Sequence, residues 1–495
     1  MTNHVSQAQT PLLTALWKCA QESHAPFYTP GHKRGVGISP HLINVFGKSV
    51  FGADLPELTE LDNLFAPQGV INEAQQLAAQ AFGAARTWFL VNGSTCGIEA
   101  AILATCGAGD KIILPRNVHS SAIAGLILSG AIPVFINPEY DIILDIVHSI
   151  TPHSVALALD QHPDAKAVLM VYPTYHGICG DVVSIANLVH EYNIPLILDE
   201  AHGAHFAFHP ELPISGLAAG ADICVQSIHK TLGAMTQASM LHVQGNRVNY
   251  DRISKALQLV QSTSPSYILM ASLDAARAQM ALHGKQLISQ TLHLAHTARK
   301  AINKIPRLSV YDIPHHQGGK FKRVDPTRLT INISQLRITG FEADEILETQ
   351  LGVRSELASL LNLTFIISIG NTKEDIDKLI QAFKALIVMA PVKSEDKINA
   401  NTTKYLWDNL TTASNLLHIS PRDAYFAATE TLPFEQTYSR ISAEIVCPYP
   451  PGIPVLMPGE IITKETLKYL REVKTLGGFL TGCADSTLKT LKVVA

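Results

Sequence analysis

The 495-residue chain has few cysteines, and none stands at the spacing of a metal or redox motif. Its seven cysteines are scattered and odd in number, and no C-x-x-C pair occurs. A disulfide framework uses paired cysteines in an oxidising compartment, so this pattern predicts reduced thiols and a cytoplasmic protein. The first residues also lack a basic segment followed by a long apolar run, which predicts that no signal peptide is present.

Charged residues are scarce as well. They make up 16% of the chain, against 47% hydrophobic residues, and the formal net charge is −4. This composition excludes a disordered chain and predicts a large core. The slightly acidic balance argues against nucleic acid or an anionic membrane as the main partner. The longest apolar run, Ala122 to Ile136, is interrupted by glycine, serine and proline and is too short to span a bilayer.

Two common phosphate-binding signatures are also missing. Neither G-x-G-x-x-G nor G-x-x-x-x-G-K-[ST] occurs, which weakens a dinucleotide or nucleoside triphosphate interpretation. What the chain does contain, from about residue 68 to 245, is short apolar runs alternating with helical patterns. Such runs predict an α/β fold with a mostly parallel seven-stranded sheet covered on both faces. The seven runs are Trp88–Val91, Lys111–Leu114, Pro133–Ile136, Ala167–Val171, Leu196–Leu198, Ile223–Val225 and Ser239–Val243.

The pattern changes twice further along the chain, which predicts three domains. Residues 1–300 would form an N-terminal segment and the large domain. Residues 301–390 would form a small α/β domain with strands in "SVYDI", "RLTINIS" and "FIISIG". The polar stretch "MAPVKSEDKINANTT" resembles a linker, and residues 391–495 would form a C-terminal α+β domain.

Polar side chains stand where several predicted strands end, and ligands collect at the carboxyl ends of parallel strands. Ser94 and Thr95 follow the first run at the start of a helix, where free backbone N–H groups attract phosphate. An ordinary helix cap is the simpler interpretation of these two residues alone. His119 follows the second run, either as a cap or packed residue, or as a ring lying on a planar ligand. Asp199 ends a fully apolar run, where a carboxylate needs a cationic or hydrogen-bonding partner.

A lysine with polar neighbours follows the sixth run, in the order Ser227, His229, Lys230. Pyridoxal phosphate requires a lysine amine for its aldehyde, a carboxylate for its ring nitrogen and a cradle for its phosphate. The order cradle, histidine, aspartate, lysine, each at a strand end, therefore predicts a pyridoxal-phosphate enzyme. A metal site built from His202, His205 and His209 is disfavoured, because H-x-x-H alone lacks further ligands or a catalytic glutamate.

The chain resembles the fold-type-I, pyridoxal-phosphate-dependent ornithine/lysine/arginine decarboxylases of bacteria, which are related to aspartate aminotransferase. The likeness covers nearly the whole chain, and the late "YPPGIP…PGE" motif is not expected in a general aminotransferase. The resembling stretches are "TPGHKRG" (29–35), "LVNGSTCGIEA" (90–100), "PRNVHSS" (115–121), "VYPTYHGICGDV" (171–182), "LDEAHGAHF" (198–206), "QSIHKTLGAMTQ" (226–237), "STSPSY" (262–267) and "YPPGIPVLMPGE" (449–460).

The resemblance implies a role for each matching residue. Lys230 would bond to the cofactor aldehyde, Asp199 would pair with the ring nitrogen, and His119 would stack on the ring. Ser94, Thr95, Ser227 and His229 would hold the phosphate, and His202 would lie beside the cofactor. Thr263 and Ser264 would reach the phosphate across a subunit boundary. Lys230, His229 and His119 are the candidate catalytic residues.

The resemblance also implies the reaction and the assembly. The substrate would be arginine, lysine or ornithine, with arginine favoured, and the product a primary amine of polyamine metabolism. "TPGHKRG" begins within thirty residues of Met1, so a short form without the wing domain is expected, as a homodimer or tetramer with a shared active site. Acids that could recognise the distal end of the substrate are Asp54, Glu57, Glu60, Asp62 and Glu460.

Two other classes of protein stay open from the sequence. An aminotransferase or lyase on the same fold is one, because fold alone does not fix the reaction. Such an enzyme would need an arginine clamp, for which Arg328, Arg337 and Arg354 are candidates. A non-catalytic, metal-binding α/β protein is the other, and bound zinc without cofactor colour would favour it.

Overall fold

The computed structural model describes residues 6–312, 321–390, 417–449, 452–475 and 477–495. The predicted linker at 389–403 lies mostly outside these ranges. The strands are β1 Arg86–Leu90, β2 Lys111–Pro115, β3 Ile132–Ile136, β4 Tyr140–Asp141, β5 Ile146–Val147, β6 Ala167–Val171, β7 Ile178–Gly180, β8 Leu196–Asp199, β9 Ile223–Gln226, β10 Ser239–Val243, β11 Ser309–Val310, β12 Phe321–Val324, β13 Arg328–Asn332, β14 Leu357–Ala358, β15 Asn362–Ile366, β16 Thr429–Pro433, β17 Cys447–Tyr449, β18 Phe479–Thr481 and β19 Thr490–Val494.

Helices separate most of these strands. Within the described residues, none is long and apolar enough to cross a membrane. The helices are α1 Pro11–Gln21, α2 Pro40–Phe46, α3 Lys48–Ala53, α4 Val70–Phe82, α5 Gly93–Thr105, α6 Ser120–Ser129, α7 Pro152–Gln161, α8 Val182–Glu191, α9 Ile228–Thr231, α10 Tyr250–Val260, α11 Tyr267–Ile302, α12 Gly340–Leu351 and α13 Lys373–Met389, followed by Pro421–Phe426 and Lys464–Thr475.

The largest sheet has seven strands in the order β1-β10-β9-β8-β6-β2-β3. All seven predicted apolar runs overlap its strands, so the predicted α/β class and the seven-stranded sheet are confirmed. β2 pairs in parallel with β3 and β6, and β6 with β8, whereas β10 is antiparallel to both β1 and β9. The connection from β9 to β10 holds only the one-turn helix α9. A parallel return needs a longer crossover, so the chain comes back antiparallel.

Close packing fixes the helix that follows β1. A Cβ atom on Gly97 of α5 would lie 2.6 Å from Val225 Cγ1 and 2.7 Å from Leu90 Cδ1. Only glycine allows this approach, because real Cβ atoms do not come so near a neighbouring methyl group. The start of α5 is therefore held at a fixed position relative to β1 and β9.

The chain divides into two compact units. The first contains Met1–Ala104 and Glu200–Ile288, and so carries β1, β9 and β10. The second contains Thr105–Asp199 and Ser289–Ala495. The three domain boundaries predicted from the sequence stay a prediction.

The second unit also holds a four-stranded sheet in the order β11-β13-β15-β14. β11 and β13 fall within predicted strands, but β15 begins earlier than "FIISIG" and shares only its first two residues. The predicted start was wrong because the strand carries polar residues that bond inside the sheet. Asn332 Nδ2 donates to Asn362 Oδ1 at 3.0 Å, and the Thr330 and Thr364 hydroxyls are 2.9 Å apart.

Candidate active site

The turn between β1 and α5 is held by amide side chains from distant parts of the first unit. The Val91 N–H donates to Gln261 Oε1 at 2.9 Å, and Gln237 Nε2 donates to the Val91 carbonyl at 2.7 Å. The Ser262 N–H donates to Asn92 Oδ1 at 3.4 Å. These supporting residues were not predicted from the sequence. Their only sequence signal is that amide side chains occur within the motifs "LVNGST" and "GAMTQ" and just before "STSPSY".

Two hydroxyl groups meet at the N-terminus of α5. The Ser227 hydroxyl donates to Ser94 Oγ at 2.8 Å, and Ser227 itself is fully buried at the end of β9. Thr95, next to Ser94, is exposed. The backbone at Gly93 has φ +74°, and no neighbouring atom lies within 4 Å of the place where a Cβ would stand. Free N–H groups, open space and two hydroxyls together make a place where an anionic group can be held.

Lys230 is the third residue of the one-turn helix α9, which begins directly after Ser227. Its Nζ lies 3.0 Å from His202 Nε2, and only 4% of His202 is exposed. The neighbouring His229 is half-buried; burial and then the charge of Lys230 lower its pKa. His229 therefore favours the neutral form more strongly than a free histidine does.

Asp199 and His119 belong to the second unit. Asp199 is the last residue of β8, and its carbonyl accepts the Tyr172 N–H at 2.9 Å. His119 is the N-cap residue of α6, and its Nδ1 accepts the Ser121 N–H at 3.2 Å. The capping role that the sequence left open for His119 is thus present, and its ring is half-buried. Each residue lies at or just beyond the carboxyl end of a parallel strand, as predicted.

Thr263 and Ser264 lie in the first unit, between α10 and α11, and both are exposed. They follow directly after Gln261 and Ser262, which contact the turn before α5. The structure thus brings Ser94 together with Ser227, and His202 with Lys230. It leaves the Thr263 and Ser264 side chains facing solvent in this single chain.

A buried chain of polar groups begins at Glu200, the residue after Asp199. Glu200 accepts the Gly216 N–H at 2.7 Å and Gln226 Nε2 at 2.8 Å. Gln226 Oε1 lies 3.2 Å from His242 Nε2, and His242 Nδ1 lies 2.8 Å from Thr87 Oγ1. Burial raises the pKa of Glu200 to about 7 and lowers that of His242 to about 3. We assign the Nε2–H tautomer to neutral His242, since Gln226 then finds a donor and Thr87 an acceptor.

Three of the carboxylates considered for substrate recognition are engaged in other contacts. Glu460 is buried in the second unit, 3.2 Å from Arg116, and accepts the Met457 N–H at 2.9 Å. Asp62 accepts backbone N–H groups near the start of α4, including that of Gly69 at 2.7 Å. Asp54 lies 3.0 Å from His32. Glu460 is therefore a structural carboxylate.

The histidines of "DEAHGAHFAFH" do not gather metal ligands. Among the residues that the structure describes, no group of three or more histidine, cysteine, aspartate or glutamate side chains is arranged to hold a metal ion. His205 packs against Phe206 with ring centroids 4.7 Å apart, while His202 contacts Lys230. The first of these contacts is ordinary packing, and the second belongs to the candidate active site.

Solved structures with a similar fold include a lysine decarboxylase and an aminotransferase. Lysine decarboxylase A from Pseudomonas aeruginosa superimposes with a TM-score of 0.83 at 24% identity, covering 99% of this chain and 81% of that chain. Alanine–glyoxylate aminotransferase from Nostoc sp. gives a TM-score of 0.51 at 17% identity, covering 64% of this chain and 86% of that chain. At these identities the likeness shows the fold alone, which is the aminotransferase-like fold that the sequence predicts.

Sequence comparison identifies the family. The model "Orn/Lys/Arg decarboxylase, major domain" matches residues 10–375, and "Orn/Lys/Arg decarboxylase, C-terminal domain" matches residues 404–485. The arginine decarboxylase of Bacillus subtilis (strain 168) is 41% identical over 490 residues, which are 99% of each chain. That of Bacillus anthracis is 40% identical over 490 residues, 99% of this chain and 98% of its own. The chain belongs to the Orn/Lys/Arg decarboxylase family, and the predicted family and enzyme class are confirmed.

Proposed function

We propose that this protein is a pyridoxal-phosphate-dependent arginine decarboxylase, which converts arginine to agmatine and carbon dioxide. Decarboxylation of a basic amino acid follows from the family. The assignment of arginine as the substrate is the part that we propose. The observation that carries the proposal is Lys230 at the end of β9, with His202 at 3.0 Å and the Ser94–Ser227 hydroxyl pair one turn before it. The two arginine decarboxylases at about 40% identity over the full chain favour arginine over lysine or ornithine.

The residues present fit pyridoxal phosphate. The cofactor needs an anion site for its phosphate, and the N-terminus of α5 offers free N–H groups with Ser94, Thr95 and Ser227 beside them. It also needs a lysine amine, which Lys230 supplies from a helix that starts at the same serine. When bound, the cofactor draws electrons away from the substrate carbon that loses carbon dioxide.

The remaining roles belong to the protein's own side chains. Asp199, at the end of β8, would pair with the ring nitrogen and hold its proton, and His119 would stack on the ring. Lys230 would hold the aldehyde of the cofactor and, as an amine beside the substrate, would return a proton to the α-carbon. His229 is the alternative donor, but its lowered pKa favours a neutral imidazole, which does not give up a proton readily. Lys230 is therefore the better candidate for that step.

The proposal is tested with the purified protein, pyridoxal phosphate and each of the three amino acids in turn. We expect carbon dioxide and agmatine from arginine without any added keto acid. Cadaverine or putrescine as the dominant product would move the substrate to lysine or ornithine. Release of a keto acid in place of carbon dioxide would overturn decarboxylation in favour of transamination.

We further propose that the enzyme is a homodimer whose two chains share each active site. Large apolar side chains stand exposed in the N-terminal part of the first unit, among them Phe27 at 95%, Val36 at 83% and Val45 at 73%. Exposed apolar surface of this kind indicates an interaction site. A second copy of this chain would cover it, and would also bring Thr263 and Ser264, which are exposed in the single chain, to the phosphate of its partner.

A further inference from the structure

The contact between Lys230 and His202 has a chemical consequence that goes beyond placing the cofactor. A lysine amine attacks an aldehyde only when it is neutral, and its ordinary state at neutral pH is the ammonium ion. Lys230 Nζ lies 3.0 Å from His202 Nε2, which is hydrogen-bond distance to a nitrogen that can hold a proton. The lysine thus has a base within hydrogen-bond distance.

We propose that His202 takes a proton from the Lys230 amine and so controls how fast this lysine bonds to pyridoxal phosphate. The inference rests on the proposed function, because it assigns a step to the same site. It makes His202 the residue that prepares the lysine rather than a neighbour that merely packs beside the ring.

The backbone around His202 is held tightly enough for that task. The Glu200 N–H donates to the Val225 carbonyl at 2.9 Å, and the Gly203 N–H donates to the Glu200 carbonyl at 2.9 Å. A Cβ on Gly203 would lie 2.7 Å from Glu200 Cγ, so the turn is closed around the Glu200 side chain. Glu200 is itself fixed by Gly216 and Gln226. His202, two residues after Glu200 and 96% buried, is therefore presented to Lys230 from a rigid turn.

The step balances without any further reactant. His202 Nε2 takes one proton from the Lys230 ammonium, and the neutral nitrogen forms a bond to the aldehyde carbon of the cofactor. A second amine proton moves to the aldehyde oxygen, and His202 returns its proton to the same oxygen. The C–O bond then breaks and the oxygen leaves as water, while one proton remains on the new C=N nitrogen. The total charge is unchanged.

The test uses two substitutions at this position and one control. His202→Phe removes the proton acceptor and keeps a flat ring. His202→Gln keeps an oxygen that can accept a hydrogen bond but does not take up a proton. His205→Gln is the matched control, because His205 is buried in the same segment and has no place in the proposed site. Thermal unfolding establishes that all three variants are folded as the parent is.

Two measurements are made on the cofactor-free protein. The first is the rate at which a small acylating reagent labels Lys230, followed by peptide mass spectrometry. The second is the rate at which added pyridoxal phosphate develops its absorbance. Near pH 7, we expect both rates to fall by about tenfold or more in His202→Phe and His202→Gln. As the pH approaches the pKa of a free lysine amine, the rates of both variants should approach those of the parent. His205→Gln should match the parent.

Parent-like rates in His202→Gln, or in both variants, would overturn the inference, since a hydrogen bond or packing alone would then suffice. Equal losses at every pH would overturn it as well, because a lost base is replaced by solvent at high pH. The labelling measurement needs neither cofactor nor substrate. Failure of the parent to bind pyridoxal phosphate would therefore count against the proposed function and leave the labelling result to decide the role of His202.

Discussion

Lys230 is the residue on which the proposed chemistry depends most directly. We expect Lys230→Ala to lose both the visible absorbance of the bound cofactor and turnover, because no amine remains to bond the aldehyde. Lys230→Arg is the matched control: it keeps a cation of similar reach but cannot form the bond, and should be equally inactive. Absorbance spectra and carbon dioxide release measure the two effects. Activity and colour retained in either variant would contradict the assignment.

Asp199 is expected to act on the rate and not on cofactor retention. Asp199→Asn should leave pyridoxal phosphate bound but slow decarboxylation by several orders of magnitude, since an amide cannot keep the ring nitrogen positive. Asp199→Glu keeps the charge and should recover part of the loss. Cofactor content by absorbance and single-turnover rates separate the two properties. A near-normal rate in Asp199→Asn would place the ring nitrogen elsewhere.

At this scale the sequence predicts the residues that stand at strand ends but not those that support them. Lys230, Asp199, His119 and Ser94 are predicted site residues because each ends or follows an apolar run, which is a local signal. The bonds from Gln237 and Gln261 to Val91 join residues 146 and 170 positions apart. Nothing local marks them, because they exist only once the chain has folded.

Among the elements of the first unit, β9, β10 and β1 are joined by the buried chain from Glu200 to Thr87. Every donor in it points toward Glu200. Glu200→Gln can be accommodated if the chain reverses: the new amide donates to Gln226, whose own amide turns to face His242, and His242 then donates to Thr87. This reversal needs no atom to move far, so we expect the variant to fold.

The same substitution gives a pH prediction. Burial raises the pKa of Glu200 from 4.5 to about 7, so the folded state keeps a proton that the unfolded state releases between these values. The stability due to this proton is complete below the unfolded pKa and is lost as the pH rises through the folded pKa. Glu200→Gln lacks this loss. Relative to that of the parent, the free energy of unfolding of Glu200→Gln should rise by on the order of 3 kcal/mol between about pH 4.5 and pH 8.

The measurement is the free energy of unfolding of both proteins across this range, with His205→Gln as a control for a nearby neutral substitution. Parallel curves for the parent and Glu200→Gln would contradict the shifted pKa. If the parent instead became more stable relative to Glu200→Gln as the pH rises, the folded state would prefer the carboxylate form of Glu200.

In the second unit, the end of β2 is tied to the "PGE" motif through Arg116. Its guanidinium donates to the Pro454 and Val455 carbonyls and to Glu460, and both charged side chains are only 3% exposed. Removing one partner leaves a buried charge. Arg116→Met or Glu460→Met alone should therefore cost about 3–5 kcal/mol of stability. The double variant should cost clearly less than the sum, as measured by denaturant unfolding; additive losses would contradict the pairing.

The elements also show where sequence patterns mislead. All seven strands of the large sheet were predicted because each contains a short, mainly apolar run. The predicted start of β15 was wrong because Asn362 and Thr364 are polar, yet they lie in the strand and bond to Asn332 and Thr330 of the neighbouring strand β13. A polar pair inside a sheet looks like a loop until its partner strand is known.

For the molecule as a whole, the open question is which chain completes each active site. Gln261 and Ser262 contact the turn before α5 of their own chain, whereas Thr263 and Ser264, next along, are exposed. Pro265 is buried directly after them and limits the backbone of this segment. A rigid, hydroxyl-rich segment that faces solvent beside its own cradle is well placed to contact the phosphate of a second chain.

Mixing two defective proteins decides between a shared and an unshared site. Lys230→Ala inactivates the active site of its own chain. Thr263→Ala/Ser264→Ala weakens the active site of the partner chain, to which those hydroxyls would contribute. Each homodimer should therefore have little activity. If the hydroxyls act across the boundary, a heterodimer contains one cleft with native Lys230 from one chain and native Thr263 and Ser264 from the other. After joint unfolding and refolding, activity should then rise above that of both parents, because two chains that enclose the cofactor also restore its exclusion from water. If exchange is confirmed by mass and activity stays at the weighted average of the parents at every ratio, Thr263 and Ser264 serve their own chain.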